Sequence, residues 1–210
     1  MSDDETAASV VPGLSPERTK AFVDAVVAIA MTLLILPLMD SVSDSASNDR
    51  TTAQWLAEQS GQLQSFIISF VLIAMFWSLH HRLFVWVQRI SSGLLWITLA
   101  WMLTIVWMPV VTALTGQVAD DPLQKILYIG TLVLASAVLL TTRIHLMRHP
   151  ELHRASLTDL RTGMSVDIAM IALFVAALAI AIVFPTLGYL GLFVMFLTGP
   201  VQSLVARMLR

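Results

Sequence analysis

Six apolar stretches, each close to the length that crosses a bilayer, decide what this chain can fold into. They run about Thr19 to Met39, Gln62 to His80, Gly93 to Leu114, Leu123 to Leu146, Gly163 to Phe184 and Thr186 to Ala206. A hydrocarbon layer roughly 30 Å thick takes about 20 helical residues to span. Lipid offers the backbone no hydrogen-bond partner, so every crossing must be a helix. The last two stretches form one run too long for a single span, and Phe184-Pro185-Thr186-Leu187-Gly188 marks the reversal, because proline ends the helical ladder and glycine permits a turn. The predicted fold class is an all-α membrane protein with six transmembrane helices over residues 18–210. A disordered tail over 1–17 precedes it, and Asp3, Asp4 and Glu5 give its start an acidic character unlike a signal peptide's basic one.

Composition excludes the soluble classes. The 210 residues are 57% hydrophobic and 12% charged, and the mean hydropathy is +0.81. A net charge of -2 provides no basic patch for nucleic acid. Cysteine is absent, which removes disulfides, a thiol nucleophile and a thiolate-bound metal. No nucleophile motif, metal cluster or phosphate-binding loop stands out, so no enzyme and no cofactor are expected.

Positive charge sets the orientation. With the amino terminus placed in the cytoplasm, Arg18, Lys20, Arg82, Arg89, Arg143, Arg148, Arg154, Arg161, Arg207 and Arg210 all fall inside, and only Arg50 and Lys125 fall outside. This asymmetry matches the positive-inside rule and an even number of spans, with both termini cytoplasmic. The outer connections carry Asp40, Asp44, Asp49, Glu58, Asp120 and Asp121 instead. In the longest of them, Thr52 to Glu58 has the pattern of a short interfacial helix. The inner connection Arg143 to Thr162 holds His145, His149 and His153, four residues apart. The arginines around them repel a divalent cation, so the segment reads as a basic loop rather than a metal centre.

Polar residues inside the spans cluster in depth. Asp24 lies about one and a half turns into the first helix, and a carboxylate at a helix centre in the bilayer costs roughly 2.5 to 3.5 kcal/mol on insertion scales. At 1.5 Å per residue, Trp77 and His80 in the second helix and Asp167 in the fifth fall near its level. Arg18, Asp24, Trp77, His80, His81 and Asp167 are therefore expected in one polar layer, either clamping helices together or titrating as a gate. A haem or metal shared by His80 and His81 is disfavoured, since neighbours on a helix point about 100° apart.

Viewed down the first helix, Ile29, Thr32, Leu33 and Leu36 share an arc of about 100°, with Phe22 and Ala25 on the same side. Asp24 stands about 140° from Ile29 and shares its face with Ala28, Met31 and Ile35.

The residues R-T-K-A-F-V-D from Arg18 to Asp24, with the apolar run to Leu38, resemble the R-x-x-x-F-S-D signature and first helix of the TMEM175 family of potassium channels. F-W-S-L-H-H-R-L-F, Phe76 to Phe84, resembles the end of that family's second helix. The six-span layout is similar to the prokaryotic single-repeat members. Val23 replaces the usual serine and cannot hydrogen-bond as serine would. The resemblance implies a homotetramer whose four first helices line a pore without a carbonyl filter. Ile29 would form the narrow ring, with Leu33 and Leu36 further rings and Thr32 the hydroxyl layer. Arg18, Phe22 and Asp24 would belong to an intrasubunit network with Trp77, His80 and His81.

The expected function is a potassium-permeable cation channel gated by a dewetted aliphatic constriction, multi-pass in the cell membrane, its partners being itself, lipid and monovalent cations. The alternative is a proton-coupled transporter or proton-permeable carrier using Asp24, His80 and Asp167 as a relay. A non-conducting scaffold is a third class.

Overall fold

The computed structural model describes residues 15–47, 50–118 and 121–183. The chain forms helix α1 (Pro16–Leu33), α2 (Leu36–Ser47), α3 (Thr52–Glu58), α4 (Ser60–Phe84), α5 (Ser92–Gln117), α6 (Pro122–Arg148), a 3-10 turn (Pro150–Leu152) and α7 (Leu157–Val183). Five helical segments are long and apolar enough to cross a membrane among the described residues, the first running through α1 into α2. The predicted sixth span, 186–206, and the predicted tail lie outside the described residues.

Helix starts follow from local chemistry. Ser15 accepts from the backbone N–H of Arg18 at 3.3 Å, with Pro16 in the first turn. Asp121 accepts from Gln124 N–H at 2.6 Å, with Pro122 in the same place. Proline lacks the N–H that this turn leaves unbonded, so it costs nothing there. Thr51 and Gln54 form a reciprocal capping box that starts the short α3 predicted from Thr52.

The first span was expected unbroken from Thr19 to Met39; instead it breaks at Leu34-Ile35. Pro37 has no N–H for the carbonyl four residues back and its ring crowds that turn. Ile35 N–H bonds the nearer Thr32 carbonyl at 3.2 Å. Other spans are longer than hydropathy suggested. Helix α6 extends to Arg148 and α7 starts at Leu157, so the inner connection is shorter than Arg143 to Thr162. Lys125, assigned from sequence to the outer side, is a buried residue of α6.

Successive long helices pack as neighbours, α4 on α5, α5 on α6 and α6 on α7, while α1 lies against α5 and α4. Val23, Val27 and Ala30 are the face of α1 that enters the core, meeting a cluster that includes Ile73, Phe76, Trp101, Ile105 and Phe174. A second cluster closes the end where the α4–α5 and α6–α7 connections lie, here called the loop end. Leu83, Phe84, Ile90, Leu94, Leu152 and Leu160 fill it. The two connections are joined by backbone bonds: Gln88 N–H and Arg89 N–H reach the Leu152 carbonyl at 2.8 and 3.2 Å, and Arg154 N–H reaches the Trp86 carbonyl at 2.9 Å. Deeper in the bundle, Thr112 donates to Ser69 at 2.8 Å and Ser69 meets Tyr128 OH at 2.8 Å, linking α4, α5 and α6 through buried hydroxyls.

Candidate functional site

Trp77 and Asp24 meet directly. The indole Nε1 donates to Asp24 Oδ1 at 2.7 Å, joining α4 to α1. His81, one turn after Trp77 on the same face, places Nδ1 4.0 Å from the same oxygen and its ring 5.4 Å from the indole. Asp24 is partly exposed at the flank of α1. The carboxylate therefore keeps a donor and a titratable neighbour at the mouth of the bundle.

His80 does not join this group. It is buried, and its ring stacks between Phe84 and Trp101, each at 4.2 Å and 18°. Its Nε2 has no hydrogen-bond partner among the described residues. The reason is angular: Phe76, His80 and Phe84 recur every four residues and share the core face, whereas Trp77 and His81 share the flank. Asp167 is separate again. It is fully buried, and Arg143 of α6 donates from Nε to its Oδ2 at 2.5 Å. The single polar layer expected from depth is thus divided into an α1–α4 cluster, an aromatic sandwich and an α6–α7 ion pair.

Arg18 and Phe22 lie on the surface of α1. Phe22 is 57% exposed, and the Arg18 side chain makes no hydrogen bond or ion pair among the described residues, only its backbone N–H engaging Ser15. Val23, which replaces the serine of the resembling signature, is buried in the core and contributes packing there.

Arg143 is the residue that sequence reading missed, having been counted as a loop cation. One signal was available, an arginine inside the apolar α6 pattern at a depth that matches Asp167 in the next helix. Gly163 completes that pair. A Cβ at this position would overlap the Arg143 guanidinium, so only glycine lets the side chain cross the α7 backbone.

The aliphatic stripe of α1 is left uncovered by the described residues. Ile29 is 59% exposed, Leu33 38% and Leu36 52%, and Thr32 is exposed beside them. Thr32 Oγ1 donates to the Ile29 carbonyl at 2.7 Å, which directs its proton back onto the helix and leaves its oxygen lone pairs facing outward. The break at Leu34-Ile35 separates Leu36 from the other three, so a straight helical wheel does not fix its direction.

The histidines of the inner connection do not converge. His145 and His149 rings lie 4.6 Å apart, His149 Nδ1 meets Glu151 at 3.1 Å, and His153 Nε2 bonds the Leu146 carbonyl at 3.0 Å. Among the described residues no group of three or more His, Cys, Asp or Glu side chains is arranged to hold a metal ion.

Comparison with known proteins finds likeness over the first half of the chain. Residues 18–109 match the family model described as "Endosomal/lysosomal potassium channel TMEM175". A potassium channel of Streptomyces collinus is 30% identical over 102 residues, 48% of this chain and 47% of that one. A potassium channel of Chryseobacterium sp. is 31% identical over 100 residues, 47% of this chain and 48% of that one. The human endosomal/lysosomal proton channel TMEM175 is 29% identical over 113 residues, 53% of this chain and 22% of that protein. The matched region thus spans about half the length of the bacterial relatives. In fold, the chain is similar to the crystal structure of a lysosomal potassium-selective channel TMEM175 homolog from Chamaesiphon minutus, with a TM-score of 0.62 and 20% identity over 92% of this chain and 95% of that one. The family match begins at Arg18, takes in the Asp24–Trp77 contact and the whole exposed stripe, and ends inside α5. Through this segment, less than half of the chain, the protein is similar to the TMEM175 family.

Proposed function

We propose that the chain is one subunit of a homotetrameric, potassium-permeable cation channel of the bacterial plasma membrane, with a pore lined by its first helix. Both termini and the loop end face the cytoplasm in this reading, as the distribution of arginine favours. The observation that carries the proposal is the exposed row Ile29, Thr32, Leu33 and Leu36 on a helix whose other side, Val23, Val27 and Ala30, is sealed into the core. Such a row can be covered by lipid or by other subunits; the names of the bacterial relatives favour the second. Four copies around an axis would narrow to an Ile29 ring that excludes water when tight and wets when the helices rotate or spread. Thr32, with its proton committed to the Ile29 carbonyl, would offer oxygen lone pairs to a partly dehydrated cation. The Trp77–Asp24 bond would hold the angle of α1 against α4 and so set which face reaches the axis.

Ile29→Asn tests the assignment. Purified protein reconstituted in liposomes should carry potassium faster with asparagine, because a polar ring wets the constriction. Equal potassium flux in Ile29→Asn and the parent sinks Ile29 as the gate. A relay through Asp24, His80 and Asp167 loses support, since the three belong to three separate side-chain groups. The proton-channel names of the vertebrate relatives make proton flux a necessary second reading in the same liposomes.

A further inference from the structure

At the loop end, a crevice of about 240 Å³ opens between the last turns of α4 and the first turns of α7. Its walls combine aliphatic Leu79, Leu83 and Val166 with Arg82, Arg143 and Asp159. Arg143 reaches it from inside the bundle: its side chain is only 9% exposed, and its one acceptor among the described residues is Asp167, engaged by Nε. A guanidinium has five N–H donors, so most of those on Arg143 are left for a ligand. Arg82 is exposed and turns Nε and Nη2 to Ser78 Oγ at 3.3 and 3.0 Å, leaving Nη1 and its charge outward. The acid of the wall, Asp159, is engaged by the start of its own helix. Asp159 accepts from Ser156 Oγ at 2.7 Å within the capping arrangement that starts α7, where a helix terminus favours negative charge. Trp86, also in the wall and 46% exposed, is the side chain that membrane proteins place at headgroup depth.

We propose that this crevice seats the phosphodiester of an anionic glycerophospholipid from the leaflet that faces the loop end. Arg82 and the free edge of Arg143 would receive the phosphate oxygens, and Leu79, Leu83 and Val166 would line the glycerol and upper acyl chain. A soluble phosphate would meet the same arginines without using that aliphatic wall. Gly163 keeps the site open, because any side chain there displaces the Arg143 guanidinium from it. The inference rests on the cytoplasmic orientation proposed above, since that leaflet carries the anionic lipid; its readout is binding, which does not require a conducting pore.

The test is native mass spectrometry of the purified, delipidated protein titrated with phosphatidylglycerol or phosphatidylcholine, with a third arm in inorganic phosphate. The parent should retain phosphatidylglycerol in preference to phosphatidylcholine. Arg82→Gln should lower phosphatidylglycerol binding by roughly fivefold, the effect of about 1 kcal/mol per basic residue near an anionic surface. Arg82→Lys should keep most of it. Arg82 is exposed, so an unchanged oligomer mass and melting curve separate lost binding from lost folding. Equal retention of the two lipids overturns the proposal, as does lipid binding unaffected by Arg82→Gln. Binding of inorganic phosphate with no lipid retained also overturns it.

Discussion

Trp77 Nε1 donates to Asp24 Oδ1 at 2.7 Å, and this bond ties the pore-candidate helix α1 to α4 at the end of the bundle where Asp24 is only partly buried. The same contact removes part of the cost of a carboxylate near the membrane, because the charge is hydrogen-bonded and close to water. The carboxylate holds the helix while the described residues leave the apolar stripe beside it uncovered.

Trp77→Phe keeps a smaller aromatic ring and deletes the donor. Thermal unfolding in detergent should show a loss of about 1 kcal/mol, the lower end for a bond to a charged group because the site is partly wet. Asp24→Asn, which keeps a carbonyl acceptor, should cost less. Combining Trp77→Phe with Asp24→Ala should be less than additive; strict additivity would mean the pair is not coupled.

The Arg143–Asp167 pair should show the signature of a buried salt bridge. Arg143→Ala leaves Asp167 buried without its cation and is expected to destabilise by about 3 to 5 kcal/mol, whereas Arg143→Met with Asp167→Leu removes both charges and should recover most of the loss. Melting temperatures of the single and double variants decide the matter. A double variant as unstable as the single one would mean that packing rather than charge carries the site.

Gly163→Ala places a methyl group in the space of the Arg143 guanidinium. The parent should lose about 1 to 3 kcal/mol, the usual cost of overpacking. In the Arg143→Met background the same change should cost much less, because the overlapping atoms are gone. Unfolding curves for the four proteins test whether Gly163 is there for Arg143 or for the helix backbone.

His80→Phe distinguishes an aromatic core position from a proton relay. Nε2 is buried without a partner among the described residues, so a phenyl ring between Phe84 and Trp101 should be neutral or slightly stabilising. The pH dependence of any flux should be unchanged. A flattened pH profile with normal folding would return His80 to a titrating role.

Much of the fold was legible because membrane helices announce themselves by hydropathy, whereas the caps at Ser15-Pro16, Thr51 and Asp121-Pro122 emerged from the structure. Boundaries were less legible: the apolar run ends at the hydrocarbon edge, while hydrogen bonding carries α6 to Arg148 and starts α7 at Leu157. The Pro37 break was readable in principle, since proline's missing donor acts four residues upstream, but composition through Leu34 and Ile35 stays apolar and conceals it. Depth along the axis grouped Asp24, Trp77, His80 and Asp167, of which only Asp24 and Trp77 meet, while His80 and Asp167 contact other side chains. Depth is one coordinate, and contact also needs the angle around each helix.

By itself, the sequence determined that the stretches starting near Thr19, Gln62, Gly93, Leu123 and Gly163 form membrane-length helices, because a backbone in lipid must bond within its own segment, and it determined the asymmetric placement of arginine. It also determined that Ile29, Thr32 and Leu33 share one side of α1, which is a consequence of helical periodicity. Only the tertiary structure decided that Val23, Val27 and Ala30 take the core and leave that side uncovered, that Asp24 pairs with Trp77, and that Asp167 pairs with Arg143 across the bare backbone of Gly163. Those choices depend on which helix packs beside which and at what rotation. They are fixed by side-chain volumes and by the cost of leaving a buried charge unpaired, and periodicity in one helix carries no record of its neighbour.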